Sequence, residues 1–444
     1  MSTHSQQLAE FASDLTIGSL PAEVRSKLES TLLHNLGMLR AGARLSPKAI
    51  GYAQSYAGPG AVSLLHDGSK TLREHAIVAN AAMIHARTQD DTHLPAITHL
   101  AATCLPPLMA IAEDRDVSGE ELLVAMAASY EVGAAVAVEV GPAASARGLR
   151  PSSVLGGLAA CVGTGRLLGL DAAGIQNAIG LAASMGGGTG QTWVSGTDEW
   201  QFQVGVAGRN GLLAAELAAR GVRGSPDSLE GVSGLYKGLA GDGAFHVGGF
   251  GLGKTWRTLE VTYKPFPVCA INQMPVTVLL EMMDQLGFRA CDIEAMTLRL
   301  SPAEAAYPGT DKYGPFAGPG GALMSAQFCL AAAAIQRCMT RAMVEAYDDP
   351  EVLALAKRIS VFADPVLTPG RCVITVDGAA GNWRSDQIPA PPTFDWDFDE
   401  VHRRLVAMGE ELAMSGPTLA GLVDCIRNLG SRSARDLVAA VTLP

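Results

Sequence analysis

The sequence predicts a mostly α-helical protein with a large all-helical domain and a smaller α+β domain. With 444 residues, of which 48% are apolar and only 17% are charged, the chain can form more than one hydrophobic core. Apolar residues recur at helical spacing through roughly the first 240 residues, beginning with Val24, Leu28 and Leu32. From Trp256 onward the pattern changes, because segments of alternating or β-branched residues stand between helical ones.

The same spacing predicts further helices near residues 72–87, 101–113, 118–139, 153–168, 171–184 and 203–220. Asp171 before AAGIQNAIGLA is typical of the start of a capped and largely buried helix. In the second part, the predicted strands are TLEVTYKPF, MTLRLSP, RISVFAD and CVITVDG, with helices near 271–286 and 325–345. Strands separated by helices, without a dinucleotide-binding fingerprint, indicate a compact α+β unit.

The domain boundaries follow from the change in pattern and from a proline-rich segment. IPAPPTFDW at 388–396 ends the α+β part, and FDEVHRRLVAMGEEL after it is helical again. We therefore predict a helical domain formed by residues 1–264 together with 397–444, and an α+β lid domain formed by residues 265–396.

Charge and cysteine usage restrict the compartment and the partners. The net charge is −11 and no stretch is a basic run, which argues against nucleic acid as a partner. The eight cysteines are scattered without a C-x-x-C pair, as expected for reduced thiols. No apolar leader or convincing membrane span is apparent, so we expect a cytoplasmic protein. The low charge content favours a homodimer that covers part of the surface.

One motif matches the phosphate-binding P-loop in its letters alone. Gly248–Thr255 reads GGFGLGKT, which fits G-x-x-x-x-G-K-T. A P-loop requires a helix directly after it, since the helix N-terminus faces the phosphate. Here WRTLEVTYKPFP follows and favours a strand, so we prefer a glycine-rich connection to a nucleotide site.

The segment QDDTHLPAITH concentrates groups that can move protons. A polar active-site loop is our preferred interpretation, with buried carboxylates that orient histidine and threonine side chains. Helix caps on a solvated loop and a metal site are the alternatives, although no standard metal-ligand spacing is present. The groups concerned are Asp90, Asp91, Thr92, His93 and His99.

Two cations stand at conspicuous places. Arg150 precedes Pro151 at a predicted helix start, where its charge and the helix dipole would attract a carboxylate, unless it is an ordinary surface arginine. Lys264, in the stiff turn YKPFP, can act as a base with a lowered pKa or pair with an anionic substrate.

Five ordered segments together resemble the motifs of the MmgE/PrpD family. They are DDTHLPAITH, GLRPSSVLGGLAACVGTGRLLGL, GTDEWQFQVGVAGRNGLLAAELA, YKPFPVCAINQMPV and MSAQFCLAAAA. The family includes 2-methylcitrate dehydratase, cis-aconitate decarboxylase and iminodisuccinate epimerase. The resemblance extends over nearly the whole chain and implies a dimeric enzyme that needs no metal or organic cofactor, with a helical domain and an α+β lid.

The chain departs from the family pattern at groups associated with dehydration or decarboxylation. Arg150 stands where the family has histidine, Trp200 where it has lysine, and Gln203 where it has a second histidine. Arg, Trp and Gln cannot protonate a leaving hydroxide. Lys264 is retained, and Cys269 occupies the second cysteine position of its motif.

The resemblance and these departures favour an epimerase similar to iminodisuccinate epimerase, acting on a small di- or tricarboxylate. It would remove a proton next to a carboxylate, with Arg150 as a carboxylate clamp and Lys264 as one base. A histidine or a tyrosine would act on the opposite face, and Tyr307 is our candidate there, ahead of Tyr313. A lyase that uses His93 or His99 as its acid, either a dehydratase or a decarboxylase, and an inactive binding protein are the alternatives. The predicted substrate contacts are Arg150, Asp90, Asp91, Thr92, Trp200, Gln203, Cys269 and Tyr313.

Overall fold

The computed structural model describes residues 2–56, 58–241, 250–379 and 381–443. The chain forms two compact units. The first comprises Met1–Thr189, Gln201–Tyr263 and Asp395–Pro444, and the second comprises Gly190–Trp200 and Lys264–Phe394. Residues 190–200, which the sequence analysis placed in the helical domain, therefore belong to the second unit, because Trp193 and Trp200 are buried in that unit's core.

Helices dominate the first unit, as the apolar spacing predicts. They are His4–Asp14, Ala22–Ala43, Pro47–Gln54, Arg73–His85, Leu100–Arg115, Gly119–Ala146, Pro151–Leu167, Ala172–Ala182, Glu199–Ala219 (from Gln201 onward), Leu235–Ala240, Phe398–Ala407, Gly416–Arg427 and Ala434–Thr442. The predicted cap is confirmed, since the Asp171 side chain accepts a hydrogen bond from the Gly174 backbone. A hairpin of Ala61–Ser63 with Lys70–Leu72 was not predicted, because strands of three residues are too short to show alternation.

The helix Gly119–Ala146 forms the centre of this unit. By length and composition it could cross a membrane, but 89% of its apolar window is buried in the protein, as in a core helix. Small residues let its neighbour approach closely. A Cβ atom on Gly163 of the helix Pro151–Leu167 would lie 2.6 Å from the carbonyl oxygen of Ala125. Close helix packing of this kind explains the abundance of glycine and alanine in the sequence.

The second unit contains a four-stranded sheet with helices. In spatial order its strands are Ile359–Ala363, Ala295–Leu300, Cys372–Gly378 and Gly381–Arg384, with the first pair parallel and the others antiparallel. Met296, Leu298 and Leu300 alternate into the core. The helices are Gln191–Ser195, Ala270–Leu286, Pro302–Ala305, Pro319–Ala322, Ala326–Gln336, Arg341–Glu345 and Pro350–Ala356.

Two predicted elements differ from the structure. The helix expected at 325–345 is interrupted after Gln336, because Arg337 adopts a left-handed conformation with φ 59°. The expected strand TLEVTYKPF begins instead as the 3₁₀ helix Arg257–Glu260, and only Val261–Thr262 is extended. Gly248 and Gly249 of the P-loop-like motif lie outside the described residues. No α-helix directly follows Thr255 in the part of the chain that is described, so the nucleotide interpretation gains no support.

Candidate active site

The loop that carries QDDTHLPAITH connects the helices Arg73–His85 and Leu100–Arg115, and other elements hold its backbone. His34 Nε2 lies 2.7 Å from the Gln89 carbonyl oxygen, and the Asp91 backbone N–H donates to Asn35 Oδ1 at 3.2 Å. Thr92 and His93 pair in antiparallel fashion with Thr262 and Val261. The loop is therefore held at both its start and its middle, as preorganised side chains require.

Asp91 fixes the helix that follows the loop. Its Oδ1 accepts a hydrogen bond from the Ala101 backbone N–H at 3.0 Å, and its Oδ2 accepts one from the Tyr130 hydroxyl at 2.8 Å. The Asp91 side chain is fully buried. Asp91 therefore accepts a hydrogen bond from the start of a helix, as a helix cap does. The loop that carries it is buried, not solvated as the helix-cap alternative assumed.

Asp90 brings two histidines together. Its Oδ2 lies 2.8 Å from His85 Nδ1 and 3.4 Å from His99 Nδ1, and the two imidazole rings are 4.8 Å apart between centroids. Asp90 is fully buried, so its charge acts where water does not screen it. A carboxylate in this position holds an imidazole in one tautomer and stabilises its protonated form.

His85 completes this cluster, and the sequence analysis did not identify it. It ends the helix Arg73–His85, is buried, and places Nε2 2.5 Å from Arg150 Nη2. A guanidinium can only donate, so Nε2 must accept and Nδ1 must carry the hydrogen that Asp90 accepts. The only sequence signal for His85 is its position five residues before Asp90, which is too weak to distinguish it from a core histidine.

His99 is the member of the cluster that reaches the surface, with 18% of its side chain exposed. Its Nδ1 is surrounded by oxygens, at 3.1 Å from the Asp91 carbonyl and 3.4 Å from Thr92 Oγ1. The His99 backbone N–H donates to Ser152 Oγ at 3.1 Å. Because these oxygens favour a hydrogen on Nδ1, Nε2 is the atom that gains and loses a proton.

Arg150 is buried rather than on the surface, which rules out the ordinary surface arginine. It precedes the helix Pro151–Leu167, and its Nη1 donates to Gln203 Oε1 at 3.0 Å. Gln203 is held in turn, because it accepts from Ser153 Oγ at 3.2 Å and donates to the Thr189 carbonyl oxygen at 3.2 Å. Two of the positions that depart from the family pattern, 150 and 203, therefore bond to each other.

Comparison with known proteins identifies two family domains in the chain. Residues 6–247 match the MmgE/PrpD N-terminal domain, and residues 266–380 match the MmgE/PrpD C-terminal domain. The chain belongs to the MmgE/PrpD family. It is similar to cis-aconitate decarboxylase of Aspergillus terreus (strain NIH 2624 / FGSC A1156), with 26% identity over 379 residues, or 80% of this chain and 77% of that protein. It also resembles the cis-aconitate decarboxylase-like protein oryM of Aspergillus oryzae, with 27% identity over 275 residues, or 58% of this chain and 57% of that protein.

Membership of the MmgE/PrpD family confirms the resemblance read from the sequence and identifies the chain as an enzyme, either a lyase or an isomerase. The alternative of an inactive binding protein receives no support from these relatives. Family membership leaves the reaction type open, which the site must decide.

His93 of this MmgE/PrpD enzyme has ring contacts different from those of His99. Its Nδ1 accepts from the Ala96 backbone N–H at 3.2 Å, and its Nε2 lies 3.1 Å from Glu260 Oε2. The His93 side chain is fully buried. Its hydrogen bond lowers the pKa of Glu260. These contacts indicate a structural role for His93 and favour His99 as the histidine of the active site.

The remaining predicted residues belong to the second unit of the MmgE/PrpD fold. Lys264 is buried, and Cys269 precedes the helix Ala270–Leu286 with a thiol pKa raised by burial to about 11. The Trp200 ring packs on Trp193 with centroids 5.4 Å apart. Tyr307 packs against the core of this unit, and Tyr313 is exposed.

His85, Asp90 and His99 also form a donor set that could hold a metal, because their ligand atoms all lie within 4.8 Å of one another. The hydrogen-bond directions oppose that use. His85 presents Nε2 to the guanidinium of Arg150 and an N–H to Asp90. A metal ion there would have to displace a hydrogen and lie close to a buried positive charge. The arrangement fits a proton-transfer network better than a metal centre.

Proposed function

We propose that this enzyme removes and returns a proton at the carbon next to a carboxylate of a small di- or tricarboxylic acid, and that it works as an epimerase without a cofactor. The observation that carries the proposal is the Asp90 carboxylate between His85 and His99. It holds Nδ1 of His99 and leaves Nε2 for proton transfer, on a side chain that is partly exposed.

The proposed chemistry has two proton transfers. His99 Nε2 takes the proton from the carbon, and the buried Asp90 stabilises the imidazolium that forms. The electron pair moves into the neighbouring carboxylate, which becomes a dianion. A second acid then returns a proton to the opposite face of that carbon. The reverse reaction uses the two groups in exchanged roles, and a further turnover in the same direction first requires both groups to exchange protons with water.

The departures from the family pattern favour epimerisation over dehydration. Arg150 and Gln203 replace two histidines of that pattern and bond to each other. Neither can release a proton to a departing hydroxide at neutral pH. Epimerisation needs no leaving group, so the loss of these acids does not prevent it.

Decarboxylation is the second candidate, because the similar Aspergillus proteins are cis-aconitate decarboxylases or resemble one. Loss of carbon dioxide leaves a carbanion that requires a single proton, and His99 alone can supply it. The geometry of the Asp90–His99 pair is compatible with this lyase reaction.

The experiment is a panel of small di- and tricarboxylic acids incubated with the purified enzyme in deuterium oxide. Deuterium at the carbon beside a carboxylate, together with inversion and no loss of mass from the carbon skeleton, supports the epimerase. Formation of carbon dioxide or an alkene instead assigns a lyase. Absence of both across the panel contradicts the proposal.

The absence of a metal requirement is tested in the same assay. Dialysis against a chelator should leave the exchange rate unchanged, because the hydrogen bonds of His85 oppose metal binding. Complete loss of exchange on chelation, with recovery on addition of one divalent ion, would contradict a cofactor-free mechanism.

A further inference from the structure

We infer that Arg150 and His85 are positioning residues: Arg150 locks His85 as a neutral imidazole with its hydrogen on Nδ1, and His85 holds Asp90 against His99. The activity measurements below rest on the proposed function, but the spectroscopic measurement does not. Arg150 thereby takes a role different from the carboxylate clamp predicted from the sequence, since Nη1 and Nη2 each donate a hydrogen bond to a protein side chain.

Arg150 determines the direction of each hydrogen bond in the series Arg150–His85–Asp90. Arg150 Nη2 donates to His85 Nε2, so His85 Nδ1 donates to Asp90 Oδ2 at 2.8 Å. His85, Asp90 and Arg150 are all at least nine-tenths buried. Water therefore does not offer His85 an alternative partner, and the tautomer is determined within the protein.

Gln203 aims the guanidinium at His85. It accepts from Arg150 Nη1, and its own amide is oriented by the Thr189 carbonyl oxygen. The planar guanidinium thus makes two side-chain contacts in different directions, which a lysine ammonium on a flexible stem cannot reproduce. Gln203 therefore orients Arg150, and both residues differ from the family pattern.

The charges explain why a neutral His85 helps His99. Asp90 and Arg150 contact His85 directly, Asp90 also lies near His99, and the Asp91 carboxylate next to it is bonded to Tyr130. A proton on His85 Nε2 would point at the guanidinium, which opposes it. A proton taken from the substrate therefore stays on His99 rather than passing to His85.

The first test is the tautomer of His85 by ¹⁵N NMR of the histidine rings in the full-length enzyme, with His85→Asn to assign the signal. We expect a neutral Nδ1–H imidazole from about pH 5 to 8, the range in which histidine ordinarily titrates. In Arg150→Met, His85 should become protonated within this range. An imidazolium or an Nε2–H tautomer in the unmodified enzyme overturns the inference, whatever the activity proves to be.

The second test separates positioning from folding. His85→Asn keeps a donor for Asp90 and should retain most of the exchange rate, whereas His85→Phe removes the donor and should lower kcat about a hundredfold with little change in KM. Both variants are compared for thermal stability. Equal losses of kcat in the two variants at equal stability would overturn the assignment, and so would unchanged kcat in His85→Phe. If His85→Phe fails to fold, Arg150→Lys takes its place and should lower kcat without shifting KM; a normal kcat in Arg150→Lys would overturn the inference.

Discussion

The Tyr130 hydroxyl donates a 2.8 Å hydrogen bond to Asp91 Oδ2 in the interior of the helical unit, where both side chains are fully buried. Burial raises the pKa of Tyr130 well above its ordinary value, and the charge of Asp91 adds to the effect. Through this bond the central helix Gly119–Ala146 holds the loop that positions Asp90 and His99.

We expect Tyr130→Phe to lower the free energy of unfolding by about 1–3 kcal/mol, because the buried Asp91 carboxylate would lose the hydrogen bond from the Tyr130 hydroxyl. Urea denaturation followed by circular dichroism measures the change. Tyr56→Phe is the matched control, since Tyr56 is exposed and its ring stacks on His75 without the hydroxyl. Equal denaturation midpoints for the two variants would show that the Tyr130–Asp91 hydrogen bond does not stabilise the folded protein.

The two histidines of the loop should respond differently to substitution. His99→Gln should lower the deuterium exchange rate by about 10²–10⁴-fold, as loss of an acid–base group does. His93→Gln should mainly lower the melting temperature, because His93 is buried against Ala96 and Glu260. The measurement is exchange rate against melting temperature for each variant. Preserved exchange in His99→Gln would exclude His99 as the base.

Glu260 should make stability depend on pH. Its pKa is lowered from 4.5, chiefly by the hydrogen bond from His93. A carboxyl group whose pKa is lower in the folded state contributes stability above its unfolded value and loses that contribution as the pH falls through its folded value. The melting temperature difference between the unmodified enzyme and Glu260→Gln should therefore be largest near neutral pH and shrink below pH 4.5. Glu294→Gln, at an exposed carboxylate, controls for a general charge effect. A difference that grows with acidity would contradict the lowered pKa.

Close packing of the central helices predicts opposite effects for two helical glycines. Gly163→Ala would place a Cβ 2.6 Å from the Ala125 carbonyl oxygen and should cost about 1–3 kcal/mol of unfolding free energy. Gly51→Ala, in the helix Pro47–Gln54, faces open space and should stabilise the protein by about 0.5–1 kcal/mol. Chemical denaturation of both variants measures these changes, and destabilisation by Gly51→Ala would contradict the open environment.

Local patterns in the sequence predicted much of the fold. The helical spacing after Val24 and the alternation at Met296 indicate which faces of these elements are buried. Both patterns can be recognised from residues close together in the sequence. The prediction of a strand at TLEVTYKPF was largely wrong, since only Val261–Thr262 is extended. The hairpin of Ala61–Ser63 with Lys70–Leu72 was not predicted. Such short segments owe their conformation to the contacts around them rather than to their own pattern.

The sequence by itself determined the family, the class of fold and the loop that carries Asp90 and His99. Tertiary structure alone decided which groups of that loop act together. It separated the contacts of His93 from those of His99, added His85 to the site, and placed Arg150 on His85. The physical reason is that the Arg150–His85 and His93–Glu260 contacts join residues far apart in the chain. The burial of these side chains and the direction of their hydrogen bonds arise only when the helices pack.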